Sequence, residues 1–395
     1  MKKKILALAL ALTFVFTATG CGKEEVEAPV TSFEGEPIGG AVKEEPTEET
    51  VVEEAPEIKY IVDREVVDGK KQSYLTGEWK DVAVVDRRPM AVMIPDNKPA
   101  LPQYGVSLAS IIYEAPMESG SCTRLMGVFE DYDELDHIGP VRSSRLYFIY
   151  EAMSCDAIYC NWGLARAYVE TTINSDAIDN ISAAVAGIYN GSDEAFDRDP
   201  ARKAAGYATE FTGILKISGY EAAVERQKYS KNYRDSFIQN FKFAVDDYTF
   251  EYSDYPDATT IRPNGDSSAN SGYGHAQPSF VYDKTDHLYH RYQFGAPQID
   301  EYNNKELAVT NVVFKIVQGS KLDEKGYLSL VCHGTGDGYV FTNGKVIEAA
   351  WSRGTDNNEP TYYYDKKTGE EIALNQGKTW ICLIWADYAD LITIE

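Results

Sequence analysis

The chain is poor in the residues from which most small-molecule chemistry is built. Its five histidines (His137, His275, His287, His290 and His333) are scattered, and none falls in HExxH or a comparable ligand spacing. A histidine metal site is therefore not expected. Beyond Cys21 there are five cysteines, Cys122, Cys155, Cys160, Cys332 and Cys382, an odd number with no CxxC pair. That pattern argues against both a disulfide framework and a zinc site. Cys155 and Cys160 are read as buried free thiols, with a disulfide between them left open. No GxSxG elbow, P-loop or strand–GxGxxG–helix sequence occurs, so serine-hydrolase and nucleotide-binding readings lack support and no cofactor is expected. Positive charge is also scarce. Against 62 Asp+Glu stand 38 Lys+Arg, a net charge of −24 that repels phosphate backbones and speaks against nucleic acid as a partner.

The apolar run Ile5–Phe16 is twelve residues long, short of the ~20 that a membrane-spanning helix needs. It follows Lys2, Lys3 and Lys4 and leads through Ala18, Thr19 and Gly20 to Cys21. This is the layout of a secretory signal ending in a lipobox-like sequence, whose cysteine receives a diacylglyceryl group and becomes the mature N-terminus. An ordinary secretory signal with a chance cysteine is the alternative. Residues 1–20 are thus expected to be a lipoprotein signal peptide, with Cys21 the lipidation site. Residues 22–57 carry twelve Glu against two Lys and almost no large apolar side chains. Such a segment cannot bury enough surface to offset its ordering entropy, so residues 21–57 read as a disordered acidic tether. The implied location is the extracytoplasmic face of the cell membrane, held there by lipid.

The remainder is rich enough in apolar residues, at 44% of the chain, to bury a real core. Residues 58–240 alternate short apolar runs with amphipathic stretches and predict a mixed α/β domain. Strands are expected at 89–94, 111–115, 124–129 and 157–161, and helices at 103–110, 141–153, 164–172 and 220–237. The stretch 191–206 reads as a loop. From 241 to 395 the period changes to two, predicting a mostly antiparallel β-rich domain, a small sandwich or half-open barrel packed on the first. Its clearest signal is Tyr339–Thr342, Asn343-Gly344, Lys345–Glu348, a hairpin whose two turn residues must both accept positive φ. The Gly-rich run 334–338 reads as a loop. The fold class is α+β.

The most informative segment for chemistry is Gly139-Pro140-Val141-Arg142-Ser143-Ser144-Arg145. Pro140 suits the first position of a helix, which would leave the next amides free beside two guanidiniums and two hydroxyls. That makes a candidate anion pocket. Arg142 also falls within the helix's apolar sector, so burial against Glu114 or Glu118 is the alternative. Glu114 ends an apolar strand, with Glu118 shortly after it and Arg124 opening the next strand. Strand ends in α/β sheets are where ligands dock. Candidate ligand-binding residues are therefore Glu114, Glu118, Arg124, Arg142, Ser143, Arg145, Asn161 and Trp162, the last as a stacking platform for a sugar ring.

The runs Arg88–Ile94, Ile112–Pro116, Thr123-Arg124, Ile138–Arg145, Asp156–Tyr159, Tyr339–Lys345 and Gly377–Trp380 resemble the YerB-like lipoprotein family, which consists of two consecutive DUF3048 domains of unknown function in Gram-positive bacteria. The resemblance spans roughly residues 80–390. It implies an α+β body with a mixed N-terminal and a β-rich C-terminal domain, and brings no established activity. The sequence departs from the family where Asp-Asn-His is usual, at Asp96-Asn97, and where a His-Ala-Gly-like run is usual, at Asn161-Trp162-Gly163. Three functions remain open. The chain is read first as a non-catalytic envelope lipoprotein that binds a cell-wall (peptidoglycan) fragment or an envelope protein. The alternatives are a wall-modifying hydrolase using Glu114 or Glu118, and a solute-binding lipoprotein.

Overall fold

The computed structural model describes residues 59–183, 189–190 and 192–395. The signal peptide, Cys21 and the acidic tether lie outside them. The strands that the first half gives to the largest sheet are β1 (Met90–Pro95), β2 (Ile111–Pro116), β3 (Thr123–Phe129), β4 (Ile158–Trp162), β5 (Asn180–Ala183) and β6 (Tyr189–Asn190). Helices α1 (Leu146–Ser154), α2 (Arg166–Ile173) and α3 (Ile217–Gln227) accompany them. The second half adds β7 (Thr260–Arg262), β8 (Ser279–Asp283), β9 (Leu288–Gln293), β10 (Ala296–Pro297), β11 (Ala308–Val309), β12 (Asn311–Val317), β13 (Gly319–Lys321), β14 (Leu328–Leu330), β15 (Gly334–Thr342), β16 (Lys345–Arg353), β17 (Tyr362–Asp365), β18 (Thr379–Trp385) and β19 (Thr393–Ile394).

Eleven of these strands form one sheet in the order β17-β16-β15-β12-β18-β2-β3-β1-β4-β5-β6. The centre is β18, β2, β3 and β1, every residue of which is buried. Near-continuous apolar runs are what a strand covered on both faces requires. Strand β18 runs parallel to β12 on one side and to β2 on the other, so both halves of the chain supply strands to a common sheet. The β-rich half therefore does not close into a small sandwich of its own.

Alternation along the strands sends side chains to two cores. Ala91, Met93, Tyr113, Met126 and Ile381 face α1 and α2, packing with Phe148, Ala152 and Val169. Met90, Val92, Ile94, Leu125 and Trp380 face the other way, against Tyr220 and Val224 of α3 and Phe280 and Tyr289 of a second sheet. That second sheet runs β10-β9-β8-β7-β19, with β11 beside β9.

Several local expectations change. The Asn-Gly hairpin forms, with φ of 48° at Asn343 and 71° at Gly344. It is longer than the alternation suggests, because residues 334–338 are strand rather than loop, in register as far as Gly334↔Arg353. A Cβ on Gly336 would lie 2.6 Å from the Trp351 indole nitrogen, so the glycine makes room for the ring. The period-two pattern opens with an alternating run from Lys242 to Tyr252 that predicts a strand, but the strand stops at Phe243. Beyond it Asp246 leaves the ladder to accept hydrogen bonds from Gln72 and Trp79, and Asp247 turns at φ 57°. The stretch 191–206 is not a loop throughout: Phe196–Arg198 is strand, and Pro200–Ala204 is a helical turn capped by Asp199. Helix α3 ends at Gln227, where Lys228 adopts the left-handed conformation.

Candidate functional site

Strands β1 and β4 run parallel and pair from Met90↔Ile158 to Val92↔Cys160, then separate. Residues 141–144 wedge into the fork. The Arg142 amide donates to the Met93 carbonyl at 2.9 Å, the Trp162 amide to the Arg142 carbonyl at 3.0 Å, and the Ser144 amide to the Gly163 carbonyl at 2.9 Å. The Val141 amide is taken by Gly213. These bonds hold the segment extended, so α1 begins at Leu146 and not behind Pro140. The expected cradle of free helix amides is corrected accordingly: the amide of Val141 is spent on Gly213 and that of Arg142 on β1.

The side chains nevertheless meet at this end of the sheet. Arg124 opens β3 on the face shared by Met126 and Val128, and its Nη1 donates to the Ser143 carbonyl at 2.7 Å. Arg145 donates to the Ser144 carbonyl at 2.7 Å and to the Glu118 carboxylate, with its guanidinium 5.2 Å from the Tyr327 ring centre. Arg142, half-buried, lies over Phe211 at 5.6 Å. Among the described residues no carboxylate pairs with Arg124 or Arg142. The buried Nε atoms of Arg124, Arg142 and Arg145 all lack an acceptor. Burial lowers all three pKa values from the ordinary arginine range, and the Arg124 charge lowers that of Arg142 further. Guanidiniums stay protonated, so the cluster carries concentrated positive charge on an acidic protein. Ser143 turns its hydroxyl to the Trp162 carbonyl at 3.3 Å. Cys122 lies nearby; burial raises its thiol pKa, partly offset by Arg124.

Beside Arg145 a pocket of about 220 Å³ opens between α1, α2 and the residues that end in β14. Tyr147, Tyr150, Tyr168, Tyr327 and His333 line it over an apolar floor of Leu146, Val169, Leu328 and Leu330. Leu322 and Val331 stand exposed at its rim. Two tyrosines are fixed by their hydroxyls, Tyr147 to the Pro116 carbonyl at 2.8 Å and Tyr168 to Asp323 at 2.9 Å. Burial lowers the His333 pKa, and its Nε2 is buried without a partner. A pocket of oriented rings next to fixed guanidiniums can hold a flat or ring-shaped body bearing a carboxylate or phosphate.

Other expected site residues lie elsewhere. Glu114 is on the opposite face of the sheet, because side chains alternate along β2. It is fully buried there, and both its oxygens accept from Arg291 Nη2 at 2.9 Å and one from Trp380 Nε1 at 3.0 Å. Neither a shared cleft with Arg124 nor an ion pair with Arg142 exists. The Glu114/Glu118 pair of the hydrolase reading is corrected on the same ground, since the sheet separates the two carboxylates and Glu118 is engaged by Arg145. Asn161 is buried structure: its amide donates to the Gly163 carbonyl at 2.6 Å and its oxygen accepts from Ser182 at 2.8 Å. Trp162 packs on Phe196 at 5.6 Å and lies under Arg198 at 3.9 Å, against the core on the other face of the sheet and away from the pocket.

Sequence reasoning passed over Tyr327, His333, Asp96, Arg291 and the buried trio Glu151, Lys315 and Arg353. Lys315 donates to Glu151 at 3.0 Å, and Arg353 does so at 3.2 Å. One signal was available: Lys315 interrupts the apolar run Val312–Val317, where a charge must find a buried partner.

Family models match on both sides of this site. The N-terminal domain of DUF3048, a protein of unknown function, matches residues 75–230, and the DUF3048 C-terminal domain matches residues 269–381. The chain belongs to the YerB-like DUF3048 family. YerB of Bacillus subtilis, which is named as a lipoprotein, is 26% identical over 319 residues, covering 80% of this chain and 86% of YerB. A crystal structure of YerB superposes with a TM-score of 0.66 at 24% identity, covering 82% of this chain and 99% of that one, and shows the same fold. In this DUF3048 chain the arginines and the α1–α2 wall come from the N-terminal family domain, and Tyr327 and His333 come from the C-terminal one. The pocket is thus built by both.

Proposed function

We propose that this protein is an envelope lipoprotein, anchored on the extracytoplasmic face of the membrane through Cys21, whose folded body binds an anionic cell-wall fragment. The ligand's carboxylate or phosphate sits at Arg124, Arg142 and Arg145, and its ring-shaped part sits in the tyrosine-lined pocket. The observation that carries this reading is Arg142, a half-buried guanidinium without a carboxylate partner among the described residues, held in place by backbone bonds at the C-terminal ends of parallel strands. Such ends are where α/β sheets receive ligands. Charge-assisted hydrogen bonds contribute ~1.5–3 kcal/mol, so Arg142→Ala should weaken binding of soluble peptidoglycan fragments by roughly ten- to hundredfold. Calorimetric titration reads this directly, and unchanged affinity in the variant would sink the assignment. A protein partner bearing a carboxylate at this edge would be read by the same variant in a pull-down from membranes.

A further inference from the structure

A separate hollow of about 860 Å³ is built by residues between 62 and 86 and between 232 and 239. Its walls are aromatic. Tyr233 stacks on Phe237 at 4.2 Å, and Tyr74 meets each of them edge-on at 5.5 Å. Three cations line it, and two are already matched. Lys71 pairs with Asp86 at 2.6 Å, and Arg234 with Asp179 at 3.1 Å and Asp156 at 3.4 Å.

Arg64 is different. It lies over the Tyr74 ring at 5.0 Å and, among the described residues, pairs with no carboxylate. Its Nε and Nη2 are buried without an acceptor, and so is the Tyr233 hydroxyl. Those two nitrogens form the edge with which a guanidinium grips two oxygens of one phosphate or carboxylate. Asp63, exposed on the lip, is the remaining carboxylate there.

The lip is apolar as well. Val62 and Ile238 line the hollow while exposed at 57% and 45%, and Val66 and Val67 continue the same strip of chain exposed. A bare oxyanion has no use for such a lip, and a purely apolar ligand has none for Arg64. We propose that this hollow binds the phosphate head of a lipid. Arg64 bridges two phosphate oxygens, the Tyr233 hydroxyl donates to a third, and the apolar end lies against Val62 and Ile238. The site stands on these residues of the folded body and not on the anchor at Cys21.

Calorimetric titration of the full chain with dihexanoyl phosphatidylglycerol, below its micelle concentration, tests the site, with inorganic phosphate as the second probe. The lipid should bind at a single site, at least about tenfold more tightly than phosphate. Arg64→Met should weaken lipid binding by about tenfold or more. Tyr233→Phe removes a hydroxyl only, should melt as the parent does, and should bind the lipid more weakly. Equal affinity for phosphate and lipid would overturn the lipid assignment. Absent binding, or binding unchanged in both variants, would overturn the site, as would a loss confined to Arg142→Ala.

Discussion

Buried charge in this protein follows two patterns, and the difference between them separates structure from function. Glu114 is satisfied at every turn, by Arg291, Trp380 and the nearby Cys382 thiol, whereas Arg142 has a ring beneath it and, among the described residues, no carboxylate in ion-pair contact, Glu210 being near enough only to act on it through its charge. Removing one partner of a buried pair strands the other charge, at a cost of about 3–5 kcal/mol. Arg291→Met is therefore expected to lower stability by that amount in urea melts, and adding Glu114→Leu should restore much of it. A mild Arg291→Met effect would contradict the pairing. Asp96 sits beside this pair, accepting from Gln103, Gln293, Gln298 and Thr123. Burial first, and then the Glu114 charge, raise its pKa to about 6 from 3.8. The folded state therefore holds this proton at pH values where the unfolded chain has released it. The contribution of Asp96 to stability is present below about pH 4 and is lost as pH rises through about 6. Asp96→Asn should remove that loss, so the gap between variant and parent melting curves should grow in the variant's favour from pH 4 to 7. A gap independent of pH would refute it. The arginines of the candidate site were legible because they cluster in one short segment. Arg291 was not, since its partner lies 177 residues away.

At the scale of elements, the central strands were readable because each is a short, nearly unbroken apolar run, the pattern that burial on both faces demands. Helix α1 was read five residues too early for an equally physical reason. Pro140 suits a helix start, but the amides of Val141 and Arg142 that a helix would leave free are captured by Gly213 and by β1, elements distant in sequence. Tertiary hydrogen bonds there outweigh local preference. The hairpin shows the reverse case. Asn343-Gly344 announced the turn, while the glycines 334, 336 and 338 hid the strand before it. Gly336 lacks a side chain because the Trp351 ring occupies the place. Gly336→Val should therefore displace that ring and destabilise by about 1–3 kcal/mol, an overpacking cost readable as a lowered urea midpoint. A Gly336→Val protein as stable as the parent would mean the ring has somewhere else to go.

At the scale of the molecule, what periodicity could not reveal is that the two halves share a sheet. Strand β18 is flanked on one side by β2, from the other half, and nothing local in either sequence records a parallel pairing across more than 260 residues. Two buried ion clusters cross the same divide, Glu114 with Arg291 and Glu151 with Lys315 and Arg353. The halves should accordingly unfold together, with tryptophan fluorescence and far-ultraviolet circular dichroism giving coincident urea transitions. Two separated transitions would contradict a shared core. The same joining places Tyr327 and His333 beside α1, completing a pocket whose lining arginine, Arg145, belongs to the other half. The most direct test of the account is titration of soluble peptidoglycan fragments into the parent protein and the Arg142→Ala variant, with melting curves of both. Expected are saturable binding by the parent, at least about tenfold weaker binding by the variant, and unfolding free energies within about 1 kcal/mol of each other. Equal binding by two equally stable proteins would contradict it.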